Sequence, residues 1–183
     1  MEILTIVVIA VLVVVGWLIL SYNSLVRLRN RSKEASSDIE VQQKRRYDLI
    51  PNLIESVKGY MSHEAGVFEK VTEARSRAMG ASDVKGKAVA ENMLSGALKT
   101  LFAVSENYPQ LRANENFLNL QNELADTENK IQAARRFYNS NVMALNTKIE
   151  IFPTNLIAGM FGFAKIEFFD AEAEAEKPVQ VKF

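Results

Sequence analysis

Residues 3–20 read ILTIVVIAVLVVVGWLIL, and Arg27, Arg29, Arg31 and Lys33 follow soon after. The eighteen residues of that stretch include no charged side chain. At 1.5 Å per residue they make about 27 Å of helix, enough to cross most of a bilayer's hydrocarbon core. The run is apolar on every side, which suits lipid better than a protein core. Ile3, Val8, Val13, Trp17 and Leu20 mark successive levels of the predicted span. Cations at the end of a transmembrane helix stay on the cytoplasmic side, and only Met1 and Glu2 precede this run. The charge bias therefore predicts an inner-membrane anchor with an external N-terminus and residues 22–183 in the cytoplasm. Trp17 and Tyr22 fall near the cytoplasmic end, where amphipathic rings favour the headgroup level. A cleaved leader fits less well. The start lacks a positive n-region, the run exceeds an h-region, and Ser21-Tyr22-Asn23 offers no small-x-small site.

The remainder has a different character. The 183 residues carry 22 basic and 22 acidic side chains, so no global field draws the chain to nucleic acid or an acidic substrate. Cysteine is absent, which excludes disulfides, thiolate metal sites and a cysteine nucleophile. Mean hydropathy is −0.04 despite the apolar start, so the rest must be distinctly polar. Eight glycines and four prolines imply long elements, and the length implies one domain behind one anchor.

From Ser24 onward the period is helical. Leu28, Ser32, Ala35, Ile39, Gln42, Arg46, Leu49 and Leu53 recur at steps of four and three, the seam of helices packed side by side. Pro51 predicts a kink or a break, because it removes a donor and crowds the preceding turn. A reversal is expected near Tyr60–Ser62, then a second helix from Ser62 to Met79 with Glu64 in its first turn. Gly80 to Asp83 reads as a loop, with Ser82 or Asp83 capping a third helix over about Val84–Asn107. Its predicted inward residues are Val89, Met93, Leu94, Leu98, Leu101 and Phe102, and Pro109 stops it. A fourth helix is predicted over Gln110–Ile149. Its seam is Leu111, Asn114, Leu118, Gln121, Ala125, Glu128, Ile131, Arg135, Tyr138, Val142, Leu145 and Ile149.

The reading is all-α. A transmembrane anchor (1–22) precedes an elongated up-and-down four-helix bundle (23–153). A three-helix rod is the alternative, should residues 24–80 form one kinked rod. Residues 154–169 are a Phe/Met-rich segment, and 170–183 read as a loose acidic tail.

Polar residues sit in the seams. Uncompensated burial of a charge costs several kcal/mol, so these groups must pair or stay wet. Antiparallel packing of the first and last helices sets residue 28 near residue 149. Counting inward brings Arg45 or Arg46 near Glu128, and Asp38 near Arg135 or Arg136. Interhelical ion pairs are expected there. The alternative is that long charged side chains at the seam's edge run out to solvent.

Five stretches carry a resemblance: DIEVQQKRRYDLIPNLIESVKGY (38–60), EKVTEAR (69–75), YPQLRANENF (108–117), TENKIQAARRFYNSNV (127–142) and FPTNLIAGMFGF (152–163). With these the chain resembles the LemA family from the anchor to Phe163. The resemblance implies an anchored cytoplasmic helical bundle with a small external N-terminus, and it implies no biochemical activity. Members linked to magnetosome membranes and to membrane-protease neighbourhoods suggest membrane organisation, and a membrane protease as one class of partner. Ser36 and Gln43 are polar where the family often has Trp and Leu. That departure implies a looser membrane-proximal seam or a different partner surface.

Chemistry is sparse. His63 is the lone histidine and begins no HExxH pattern. GASDVKGK (80–87) misses the phosphate-loop spacing by one residue, has Ala88 in place of Ser/Thr, and follows no strand. No paired Glu-x-x-His set for a di-iron bundle and no Ser–His–Asp set is present. No catalytic residue, metal or cofactor is expected. Arg27, Arg29, Arg31 and Lys33 are expected to set topology and to touch anionic lipid, each cation near such a leaflet being worth about 1 kcal/mol. Ile157, Met160, Phe161 and Phe163, with Phe168 and Phe169, emerge beside the leaflet if the last helix returns to the membrane. They then meet lipid or a partner, or fold back over the bundle. The leading reading is a non-enzymatic, single-pass scaffold that binds other membrane proteins or copies of itself. The alternative is a membrane-remodelling or lipid-binding protein acting through the basic cluster and the Phe/Met segment.

Overall fold

The computed structural model describes residues 1–169, so the acidic tail expected over 170–183 lies outside the described residues. Six helices follow one another: α1 (Glu2–Lys58), α2 (Ala65–Gly80), α3 (Val84–Ser105), α4 (Pro109–Arg112), α5 (Glu115–Glu150) and α6 (Thr154–Met160). Among the described residues there is no strand. The chain divides into two compact units. One comprises Met1–Ser36 and Arg136–Phe168, and the other comprises Ser37–Arg135 with Phe169.

The second unit is a four-helix core. Tyr47, Ile50, Leu53 and Val57 of α1 meet Val71, Ala74 and Ala78 of α2, Leu94, Leu98 and Leu101 of α3, and Phe117 and Leu124 of α5. Burying each large apolar side chain contributes about 1.5–3 kcal/mol, and the α2 alanines let its backbone approach its neighbours. Arg46 meets Glu128 and Tyr60 meets Asn114, fourteen residues apart on both strands of the pairing, so α1 and α5 run antiparallel here. The reversal between α1 and α2 spans Gly59–Glu64. α2 starts at Ala65 rather than Ser62, because the backbone carbonyl of Glu64 is the first to accept helical bonds, from Val67 and Phe68. At α3 the expected cap forms: the Asp83 carboxylate accepts from the Gly86 N–H at 2.8 Å.

Pro51 neither breaks α1 nor ends it. A proline inside a helix leaves the carbonyl four residues back without its donor. Here that carbonyl belongs to Tyr47, and Arg75 Nε of α2 donates to it at 2.8 Å. A tertiary contact thus supplies the bond that the pyrrolidine ring removes.

Two predicted seams are displaced. On α3, Val89 and Met93 face solvent, and the buried stripe is Ala88, Glu91, Leu94, Leu98, Leu101 and Ser105. The single predicted helix over 110–149 is two helices, since Pro109 opens α4 and Asn114 caps α5, its side-chain oxygen accepting from the Phe117 N–H at 3.1 Å. The interruption shifts the phase by one residue. Phe117 and Leu124 are buried while Leu118 and Ala125 are exposed. From Ile131 through Tyr138, Val142 and Leu145 the buried seam follows the predicted residues.

In the first unit, Leu25, Val26 and Leu28 of α1 pack with Leu145 and Ile149 of α5, Ile157 and Ala158 of α6, and Phe163 and Ile166 beyond it. The Asn146 side chain grips Ile166 with two hydrogen bonds, donating to its carbonyl at 2.9 Å and accepting from its N–H at 3.0 Å. Tyr138 Oη donates to the Glu167 carbonyl at 2.9 Å. These bonds lay the non-helical segment after α6 along α5.

Candidate functional site

Two places gather chemistry, one in each unit. The first is the end of the apolar segment. Ile3, Val8, Val13, Trp17 and Leu20 are all exposed, and no part of the most apolar eighteen-residue window is covered by protein. Such a helix fits a membrane anchor. Arg27, Arg29, Arg31 and Lys33 continue α1 and are all exposed. Tyr22, at the start of this polar stretch, stacks on Phe161 with ring centroids 4.7 Å apart and meets the edge of Phe163 at 5.9 Å. The Arg29 guanidinium lies over the Phe163 ring, 5.0 Å from its centroid, a cation–π contact.

The Phe/Met segment divides by function of position. Ile157 and Phe163 fold inward, while Met160 and Phe161 face out. Gly162 causes the division. Its φ of +67° is the left-handed turn that glycine adopts without a Cβ penalty. The Phe163 N–H then bonds back to the Ala158 carbonyl at 2.9 Å, and its ring returns to the core. Phe152 and Leu156, which the sequence reading did not single out, are exposed beside Met160.

The second place is a polar layer inside the four-helix core. Arg46 is 1% exposed and Glu91 is fully buried. The Arg46 guanidinium pairs with both the Glu91 and Glu128 carboxylates, and Nη1 also donates to Ser95 Oγ at 3.0 Å. Ser95 Oγ in turn donates to Glu128 at 3.1 Å. Tyr47 Oη donates to the Glu91 carboxylate. Gln132 donates to the other Glu128 oxygen at 3.3 Å. One cation thus ties α1 to α3 and α5, with Tyr47 closing the ring. Burial lowers the Arg46 pKa, with Glu128 opposing that shift, and burial raises the Tyr47 pKa against the field of Arg46. Both shifts follow from desolvation of the charged form.

Arg45 lies outside this layer, 3.6 Å from Glu123 and 3.8 Å from Asp126 in half-exposed pairs. Pairs of that kind contribute about 0–1 kcal/mol. Asp38 is exposed and does not meet Arg135. Arg135 donates to Asn92 Oδ1 at 3.1 Å and covers the Phe169 ring at 4.9 Å. Glu91 and Tyr47 escape the sequence reading. Glu91 did leave a signal, since it falls three residues before Leu94 on the stripe through Leu98 and Leu101. Among the described residues no three His, Asp or Glu side chains gather as metal ligands. A cleft of about 410 Å³ opens between α3, α4 and α5, lined in part by Lys99, Phe102, Glu106, Arg112 and Phe117. Ser105 on its wall donates its hydroxyl to the Phe102 carbonyl at 2.6 Å.

The sequence matches the LemA family model over residues 35–183. It is 31% identical over 154 residues to Protein LemA of Metamycoplasma hominis, covering 81% of this chain and 68% of that protein. It is also similar to Magnetosome protein MamQ 2 of Paramagnetospirillum magneticum, 23% identical over 94% of this chain and 73% of that one. A further relative is Magnetosome protein MamQ of Magnetospirillum gryphiswaldense, 22% identical over 88% of this chain and 69% of that protein.

Proposed function

Because this chain belongs to the LemA family, we propose that it is a non-enzymatic, single-pass scaffold. It is held in the inner membrane by residues 3–20, with its bundle in the cytoplasm. The observation that carries this reading is the uncovered apolar helix. Eighteen residues of mean hydropathy 3.2 with no protein cover are unstable in water, and lipid is the solvent that suits them. The exposed cations of Arg27–Lys33 against a cation-free start favour the cytoplasmic orientation. A scaffold needs a surface for partners, and α3 offers Val89 and Met93, exposed one turn apart. The partner in this reading is another membrane protein, such as a membrane protease, or a second copy of the chain. The magnetosome names of two relatives favour an organising role over turnover of a small substrate.

The test is topology followed by capture. The full chain should stay in the membrane pellet after an alkaline carbonate wash. A C-terminal phosphatase fusion should be inactive and a C-terminal fluorescent protein bright. Cross-linking in intact membranes should give discrete oligomers or one defined partner band. Release by carbonate, or an active C-terminal phosphatase, overturns the anchor and its direction. A solely monomeric chain that deforms vesicles when purified favours the lipid-remodelling alternative, which the exposed Met160 and Phe161 support.

A further inference from the structure

Residues 151–164 (IFPTNLIAGMFGFA) contain no charged side chain, although the chain as a whole is 24% charged. The flanking charges, Glu150 and Lys165, pair with each other and close the segment into a loop. Within it α6 is apolar on two sides. Ile157 and Ala158 are buried against α1 and α5. The other side leaves Phe152 78%, Leu156 62%, Met160 80% and Phe161 55% exposed. Residues 152, 156 and 160 are spaced by four, so they share one face of the chain's helical path. A surface helix in water carries polar residues on its outer face, and this one does not.

Its place in the first unit says what covers that face. Phe161 stacks on Tyr22, two residues beyond the apolar run that ends at Leu20. Two residues are about 3 Å of helix, so Tyr22 stands at headgroup level when residues 3–20 span the bilayer. The open apolar face is therefore continuous with the anchor's own lipid contact. The cations next along α1, Arg27, Arg31 and Lys33, are exposed and suit an anionic leaflet. We propose that segment 151–164 is a second membrane contact, a short interfacial element that lies in the headgroup–acyl boundary of the same leaflet beside the anchor. The proposal rests on residues 3–20 being a transmembrane anchor. It commits to lipid over a protein partner because an interfacial element needs an apolar face at the boundary depth with cations on the water side, and both are present.

The chain has no cysteine, so one introduced thiol carries a unique label. Phe152→Cys, Met160→Cys and, as an exposed control on α2, Glu69→Cys are labelled with an environment-sensitive fluorophore. The full-length proteins are reconstituted in phosphatidylcholine–phosphatidylglycerol vesicles containing a lipid with a nitroxide near the headgroup end of its acyl chain. Labels at 152 and 160 should be quenched about threefold more strongly by that lipid than the label at 69, and shielded from aqueous iodide. Equal lipid quenching at all three sites, in a chain that resists carbonate, overturns the interfacial contact and leaves the anchor standing. Loss of iodide shielding when one chain is isolated per nanodisc overturns it in favour of a second copy covering the face. Release of the chain by carbonate overturns the anchor reading itself, and this proposal with it.

Discussion

Arg46 is a guanidinium sealed from water, and its neighbours determine what its loss does. Removing one partner of a buried pair leaves an uncompensated charge and costs about 3–5 kcal/mol, whereas replacing the whole cluster with apolar groups is often neutral. Arg46→Met should therefore lower stability by about 3–5 kcal/mol in guanidinium unfolding of the detergent-solubilised chain, because Glu91 is left behind. Adding Glu91→Leu and Tyr47→Phe should recover most of that loss. A cost below about 1 kcal/mol for the single change would mean the layer is wet rather than sealed. Gln43 is the opposite case. It is buried, and among the described residues neither atom of its amide finds a hydrogen-bond partner. Gln43→Leu should raise stability by about 1–3 kcal/mol, read as a higher denaturant midpoint at unchanged slope. The Arg46–Glu128 contact was within reach of the sequence, because helix lengths and antiparallel counting bring those numbers together. Glu91 was not, because a lone Glu on an apolar stripe reads as surface unless phase outweighs residue type. Val89 and Met93 were placed inside on type, and phase puts them outside.

At the level of elements, the long helices are legible because their three-and-four period persists, and their ends and phases are less so. Asn114 shows why. The step from Leu111 to Asn114 keeps the period, yet Ala113 and Asn114 leave the helix, and every residue counted through the gap is misplaced by one until Ile131. Pro51 shows a second limit. From sequence a proline inside a helix implies a kink or stop, and the donor that rescues it, Arg75, lies on another helix. That rescue is testable as a cycle. Arg75→Leu should cost about 1–2 kcal/mol by leaving the Tyr47 carbonyl unpaired. In a Pro51→Ala background the restored N–H satisfies that carbonyl, so the same substitution should cost less by at least about half. Equal costs in both backgrounds would show that Arg75 acts through packing alone.

For the molecule as a whole, charge and pH set the limits of stability. Burial pushes the hydroxyls of Tyr47 and Tyr138 above their ordinary value of 10.0. Above about pH 10 the unfolded chain gives up these protons while the folded chain keeps them, so the unfolded state binds fewer protons and stability falls as pH rises. The urea midpoint should stay level between about pH 7 and 9 and drop beyond 10, less steeply in Tyr47→Phe than in the parent. Arg46 acts with the opposite sign, its pKa being lowered from 12.5, so its influence enters only at still higher pH. The buried network also imposes an order in time. The apolar segment leaves the ribosome first, and Glu128 is made 82 residues after Arg46. At about 5–20 residues per second the guanidinium waits roughly 4–16 s for that carboxylate. Through that interval the nascent core is an open hairpin bearing a naked cation, and its closure falls to the last long helix to be synthesised.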